Sequence, residues 1–142
     1  MPRERPTLYG PALLEHARHP KGTTPLEADA TVRSVEVDNP LCGDRVRLQV
    51  DSTDPQHMRL AHSTRGCALC VASASLMAEV LTGKPVAAAR HTAARICTAL
   101  DDHQDAVIPA PLAPIFSDLH TAPMRRSCVQ LPWLALSQAL QT

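Results

Sequence analysis

The sequence predicts an α+β domain in which a three-stranded antiparallel sheet carries helices packed on one face. Three observations predict it. Runs with period-two alternation lie close together before residue 62, short turn signals join them, and beyond residue 67 the chain changes to long alanine- and leucine-rich stretches. Neighbouring strands joined by short turns form a meander, and strands followed by helices give two layers around one core.

The elements follow in order. Residues 8–18 read as a short helix, with Leu8, Ala12, Leu13 and Ala17 roughly on one face and Pro20 and Gly22 ending it. Residues 31–37 alternate imperfectly and read as the first strand. Asn39-Pro40 then makes a turn, because the residue before proline is pushed out of the helical region. Residues 45–50 alternate cleanly, as a strand with one wet face does, and residues 51–55 form a hairpin turn into a third strand at 58–61. Residues 68–81 are apolar nearly all round, which marks a buried helix. Gly83 is its C-cap, and Pro85 opens a helix reaching about Leu100. Residues 101–114 are rich in proline and read as a loop. A final helix runs from about Arg125 to Leu140, interrupted or tightened near Pro132.

A chain of 142 residues fits a single domain over residues 1–142. Its 14 basic and 14 acidic residues cancel, which argues against nucleic acid as a partner, since phosphate binding needs a basic surplus. Tyr9, Phe116 and Trp133 are the only aromatic residues, too few for a base-stacking platform. No apolar run approaches the ~18–20 residues that cross a bilayer, and no apolar segment follows the charged N-terminus. The expectation is a cytoplasmic protein with no membrane partner. Five cysteines, an odd number without an export signal, favour metal or thiol chemistry over a disulfide framework.

Three of the cysteines stand where that chemistry is favoured. Cys42-Gly43-Asp44 lies between the first two strands, and Gly43 lets the backbone bend so that thiol and carboxylate converge. Cys67 opens the buried helix, where unpaired backbone N–H groups and the helix dipole favour a thiolate. Cys128 lies near the start of the last helix, where Arg125 and Arg126 are expected to favour its thiolate as well. Cys42, Asp44, Cys67 and Cys128 make a four-ligand set for zinc or ferrous iron, or for a two-iron cluster, at one end of the sheet. Each cysteine taken alone reads equally well as a small buried hydrophobe.

Cys67 and Cys70 also form a C-x-x-C pair. A zinc knuckle needs a second such pair, and a thioredoxin-like site needs a parallel βαβ unit; the sequence offers neither. Cys70 therefore reads as packing that approaches the site, one turn past Cys67. Cys97, among Ala94, Ile96 and Leu100, reads as core. The seven histidines, His62 nearest the site among them, read as surface or sheet-edge residues, and Arg45 as solvent-facing.

Taken together these residues resemble the U-type iron–sulfur cluster assembly scaffold family, which includes the N-terminal domain of NifU and IscU, and within it the SufU branch. The similarity covers nearly the whole chain. It rests on Tyr9 with Leu13-Leu14-Glu15-His16 and His19-Pro20, on Asn39-Pro40-Leu41-Cys42-Gly43-Asp44, on the run from Gly66-Cys67 through Ala72-Ser73-Ala74-Ser75 to Met77, and on Pro123-Met124-Arg125-Arg126-Ser127-Cys128 with Leu131-Pro132-Trp133. The long interval from Cys67 to Cys128, with an apparent insertion around residues 84–102, points to the SufU branch. So do Arg125 and Ser127, the latter standing where the IscU branch carries a histidine. Cys70 departs from the serine common at its position.

The resemblance implies a zinc-bound partner of a cysteine desulfurase, with Cys42 as sulfur acceptor and sulfur passing on to downstream assembly or recipient proteins. It equally implies a scaffold on which the same residues hold a transient [2Fe–2S] cluster. Such a protein is a relay or scaffold rather than an enzyme in its own right. Two other readings stay open: a structural zinc domain that binds a protein partner, and a zinc hydrolase. The hydrolase is disfavoured because neither Asp38 nor Asp44 belongs to a His-x-Glu motif that would supply its general base.

Overall fold

The computed structural model describes residues 11–27, 29–101 and 125–141. The expected helix start at Leu8, Tyr9, Pro123, Met124 and the proline-rich loop beyond Asp101 lie outside these residues. The described elements are α1 (Pro11–Arg18), β1 (Val32–Asn39), β2 (Asp44–Asp51), β3 (Arg59–Arg65), α2 (Ala68–Leu81), α3 (Val86–Asp101) and α4 (Arg126–Ala139). The strands form one antiparallel sheet in the order β1-β2-β3, as the meander pattern requires.

Strand β2 fixes which face is which. Val46, Leu48 and Val50 are at most 1% exposed, while Arg45 and Arg47 between them face water. The outer face is laced by cross-strand ion pairs, with Arg45 Nε 2.7 Å from Asp38 and Arg47 Nε 2.8 Å from Glu36. The inner face is covered by α4, which lies across β1 and β2, and by α2 beside β3; α1 packs on α2, and α3 on α4. Leu13, Met58, Leu69, Met77, Ile96, Trp133 and Leu136 fill the space between.

Helix α2 is buried nearly all round, as its composition predicts, and its two buried serines are cross-braces. Ser73 Oγ donates to the Val129 carbonyl (2.7 Å) and accepts from the Trp133 indole (3.0 Å), which ties α2 to α4. Ser75 Oγ accepts from the Lys21 backbone (2.8 Å) and bonds His16 Nδ1 (2.7 Å), which ties α2 to α1. Ser73→Ala would leave a buried indole N–H and a carbonyl unpaired. It is expected to lower stability by about 1–3 kcal/mol, read as a lower urea midpoint at unchanged m-value.

Two boundaries differ from expectation. Strand β3 runs to Arg65, four residues past the end expected at Ala61, because the polar residues His62 and Thr64 keep pairing with Leu48 and Val46. Helix α4 is continuous through Pro132. The i→i−4 bond that Pro132 cannot donate is the one to the Cys128 carbonyl, so the proline loosens the first turn without breaking the helix. Gly83 sits at φ +81° one residue past the Thr82 cap, the terminator expected for α2.

Candidate metal centre

The first loop is built around Asn39, a buried residue at the end of β1. Its carbonyl accepts the N–H groups of Cys42 (3.3 Å) and Gly43 (2.8 Å). Its side-chain oxygen accepts from Leu41 N–H (3.0 Å), and its amide donates to Ser127 Oγ (3.0 Å) at the start of α4. Gly43, at φ +74°, returns the chain into β2 through a conformation that a side chain would strain. The turn leaves Cys42 exposed, beside a Leu41 that is 89% exposed.

Asp44 points inward for a reason the strand supplies. It is two residues from Val46, so the pleat places both on the helix side, and Asp44 is only 2% exposed. Its Oδ1 accepts the Cys67 N–H (3.1 Å), which sets the carboxylate at the positive end of α2. Gly66 makes the approach possible: a Cβ there would overlap Asp44 Oδ1 and sit 2.6 Å from its Cγ. Cys67 is the N-cap of α2, and Cys128, 2% exposed, is the third residue of α4.

These elements bring three of the four expected residues together and set the fourth, Cys67, beside one of them. Ligand atoms of Cys42, Asp44 and Cys128 all lie within 4.8 Å of one another. Cys42 Sγ and Cys128 Sγ are 3.4 Å apart, near the ~3.8 Å edge of a zinc–thiolate tetrahedron with bonds of about 2.3 Å. Cys67 joins the trio through Asp44, its Sγ 3.8 Å from Oδ2. Three sulfurs and one carboxylate oxygen are a donor set that suits zinc or ferrous iron.

Burial, then hydrogen bonds with Asp44 and Cys42, push the Cys128 thiol well above the ordinary range, the opposite of the lowering expected from its position. Arg126 Nη1 reaches the Leu100 carbonyl (3.4 Å). Cys70 is wholly buried, and its thiol is pushed up by burial and by Asp44, Cys67 and Cys42 beside it. Cys97 is half-buried between α3 and α4, its thiol raised to about 11 by burial and Asp101.

Among the described histidines, His62 is the buried one. It lies on the edge strand β3 but is buried, with Nδ1 2.9 Å from Thr64 Oγ1 and Nε2 2.7 Å from the Lys21 carbonyl. Burial lowers its pKa below the usual 6.5. The unfolded chain therefore takes up a proton first, so stability falls as pH drops below about 6.5. The metal-free protein is expected to show this as a falling Tm between pH 7 and 5, a fall that His62→Gln reduces.

Asn39 and Gly66 are the residues the sequence reading undervalued. Asn39 was legible only as a turn former, yet it braces both the Cys42 loop and the start of α4; the Asn-Pro pair in front of a cysteine was its signal. Gly66 gave no signal beyond standing next to Cys67.

The NifU-like N terminal domain model matches residues 8–142. Over 136 residues the chain is 26% identical to the zinc-dependent sulfurtransferase SufU of Bacillus subtilis, covering 94% of this chain and 90% of that one. It is 27% identical to the iron–sulfur cluster assembly scaffold protein IscU of Streptococcus pyogenes, covering 94% and 83%. The crystal structure of a NifU-like protein (N-terminal) from Brucella abortus superposes with a TM-score of 0.79 at 23% identity, over 94% of this chain and 92% of that one, a likeness of fold.

Proposed function

Because this chain belongs to the NifU-like N-terminal domain family, we propose that it serves iron–sulfur cluster assembly as a zinc-bound acceptor of sulfur from a cysteine desulfurase. The carrying observation is the contrast among its thiols. Cys42 is exposed on a turn, whereas Cys128 is buried beneath it and Cys67 is half-buried at the start of α2. A thiol on a turn next to a positive-φ glycine can reach a partner. Thiols anchored in helix starts stay behind to hold the metal.

Zinc, held by Cys42, Asp44, Cys67 and Cys128, would keep the thiols deprotonated and shielded until a partner engages them. The protein's own residues do the rest. Asn39 fixes the turn that presents Cys42, and the N-terminus of α2 steadies the Asp44 carboxylate. Cys42 Sγ takes the terminal sulfur of the donor's persulfide: a new S–S bond forms at Cys42, the donor's S–S bond breaks, and the donor departs as its thiol. Ser127 supports the SufU-type donor set, since its hydroxyl is engaged by Asn39 where a histidine ligand would otherwise stand.

The scaffold reading shares this donor set, and the relative named as a scaffold supports it as strongly by identity. Colour separates the two: zinc without visible absorption fits the acceptor, and a brown iron species fits the scaffold. The functional test is turnover. Zinc-loaded protein added to a cysteine desulfurase and free cysteine is expected to raise the rate of alanine release about tenfold or more, the order expected when a slow sulfur-release step is relieved by a positioned acceptor. Cys42→Ala should give no such rise. Equal stimulation by Cys42→Ala would remove the acceptor role and leave the passive scaffold.

A further inference from the structure

The turn that presents Cys42 also presents apolar surface. Pro40, Leu41, Cys42 and Gly43 are all exposed and carry no charge, and Leu41 is 89% exposed. A lone leucine on a surface needs no explanation. This one is held out in a fixed place. Its N–H is bound at 3.0 Å by the side chain of Asn39, a buried residue whose amide reaches Ser127 at 3.0 Å. Keeping an apolar side chain in water is unfavourable, and fixing it beforehand lowers the entropy lost when a partner covers it.

The charge beside this tip is unbalanced. Arg65 ends β3 directly opposite Arg45, two residues before Cys67. Arg45 has acid partners in Asp38 at 2.7 Å and Glu36 at 3.2 Å. Arg65 is exposed, and among the described residues no acid pairs with it. The rim of the site therefore carries one positive charge that the fold itself does not answer.

We propose that this tip docks the sulfur donor, with Leu41 entering an apolar recess beside the donor's persulfide and Arg65 meeting an acidic group at the recess's rim. The occupant is the cysteine desulfurase, because Leu41 adjoins the thiol that must reach its sulfur. The inference rests on Cys42 being the acceptor. Any surface that delivers sulfur to Cys42 must also cover its neighbour in the turn. An uncharged tip can enter a recess without leaving a charge unpaired there. A cation at the rim steers the approach and fixes register.

The test separates docking from chemistry. Zinc-loaded wild type, Leu41→Gln, Leu41→Met and Arg65→Gln are titrated into a cysteine desulfurase with free cysteine. Leu134→Ala is the control, Leu134 being the other exposed leucine among the described residues. Alanine release gives a half-saturating concentration and a maximal rate, and zinc content checks that the site is intact. Leu41→Gln should raise the half-saturating concentration roughly 10–30-fold, as loss of an interface anchor does, with zinc content and maximal rate unchanged. Leu41→Met keeps the size and polarity and should stay near wild type, and Leu134→Ala should match it. Arg65→Gln should raise the half-saturating concentration a few-fold at about 50 mM salt and converge on wild type at about 500 mM, where a rim charge is screened. A wild-type value for Leu41→Gln overturns the docking role and leaves the acceptor reading standing. A wild type that gives no stimulation overturns the acceptor reading itself. An unaltered salt dependence in Arg65→Gln overturns the charged half of the proposal. Self-association of the wild type that Leu41→Gln abolishes would make a second copy the occupant, against the proposal. Should the glutamine disturb the turn and lose zinc, Leu41→Ala is read in its place, and a wild-type half-saturating concentration there overturns the docking role.

Discussion

Cys67→Ala and Cys128→Ala proteins are expected to come off purification with almost no bound metal, their affinity lowered by at least about 100-fold, since loss of even an outer partner of a ligand costs 10–100-fold. The two residues differ from Cys42 in how the fold holds them. Cys67 caps α2 and is tied to Asp44 through its own N–H at 3.1 Å, and Cys128 is 2% exposed in the first turn of α4. The buried Cys128 thiol, held above its ordinary range by burial and its neighbours, has an ionised form that only a bound cation makes favourable. The measurement is metal per chain by plasma emission spectrometry beside circular dichroism. Full occupancy in folded Cys67→Ala protein would show that the ligand set is wrong.

Gly66→Ala is the second change expected to act strongly, although it replaces no ligand. The new methyl would overlap the Asp44 carboxylate, with Cγ only 2.6 Å away. The carboxylate must leave, and the Cys67 N–H loses its acceptor. Metal affinity should fall about 10–100-fold, and stability should fall by about 1–3 kcal/mol for the unpaired buried donor. Gly43→Ala is the control. A Cβ there meets nothing within 4 Å, so only the φ of +74° is strained, a cost of about 1–2 kcal/mol with the carboxylate left in place. If the two variants bind zinc alike, the steric account of Asp44 is wrong. A Gly66→Ala/Asp44→Ala pair should relieve the collision without recovering the metal or the hydrogen bond to the Cys67 N–H, because Asp44 is both the ligand and the acceptor.

Strand β2 and helix α2 show why most of this fold is legible in the sequence. Alternation of Val46, Leu48 and Val50 against Arg45 and Arg47 reports burial directly, and it extends unread to Asp44, whose inward position follows from the same period. The cysteines were found by their settings: Cys42 by the turn around Gly43, Cys67 by the helix start. What stayed hidden depends on contacts between distant segments. Pairing His62 with Leu48 and covering it with the Lys21 carbonyl takes the third dimension, so a histidine that looks like a strand exit is buried. Ser73 and Ser75 look like helix filler until Trp133 and His16 arrive.

The central claim concerns one sulfur atom on one residue, and peptide mass spectrometry can read it there. Zinc-loaded protein would be incubated with a cysteine desulfurase and cysteine, alkylated without reduction, digested and mapped for added sulfur. The account predicts a single extra sulfur on the peptide carrying Cys42, absent when cysteine is withheld, with Cys67, Cys70 and Cys128 unmodified. Added sulfur on Cys128 or Cys67 with none on Cys42 would contradict it.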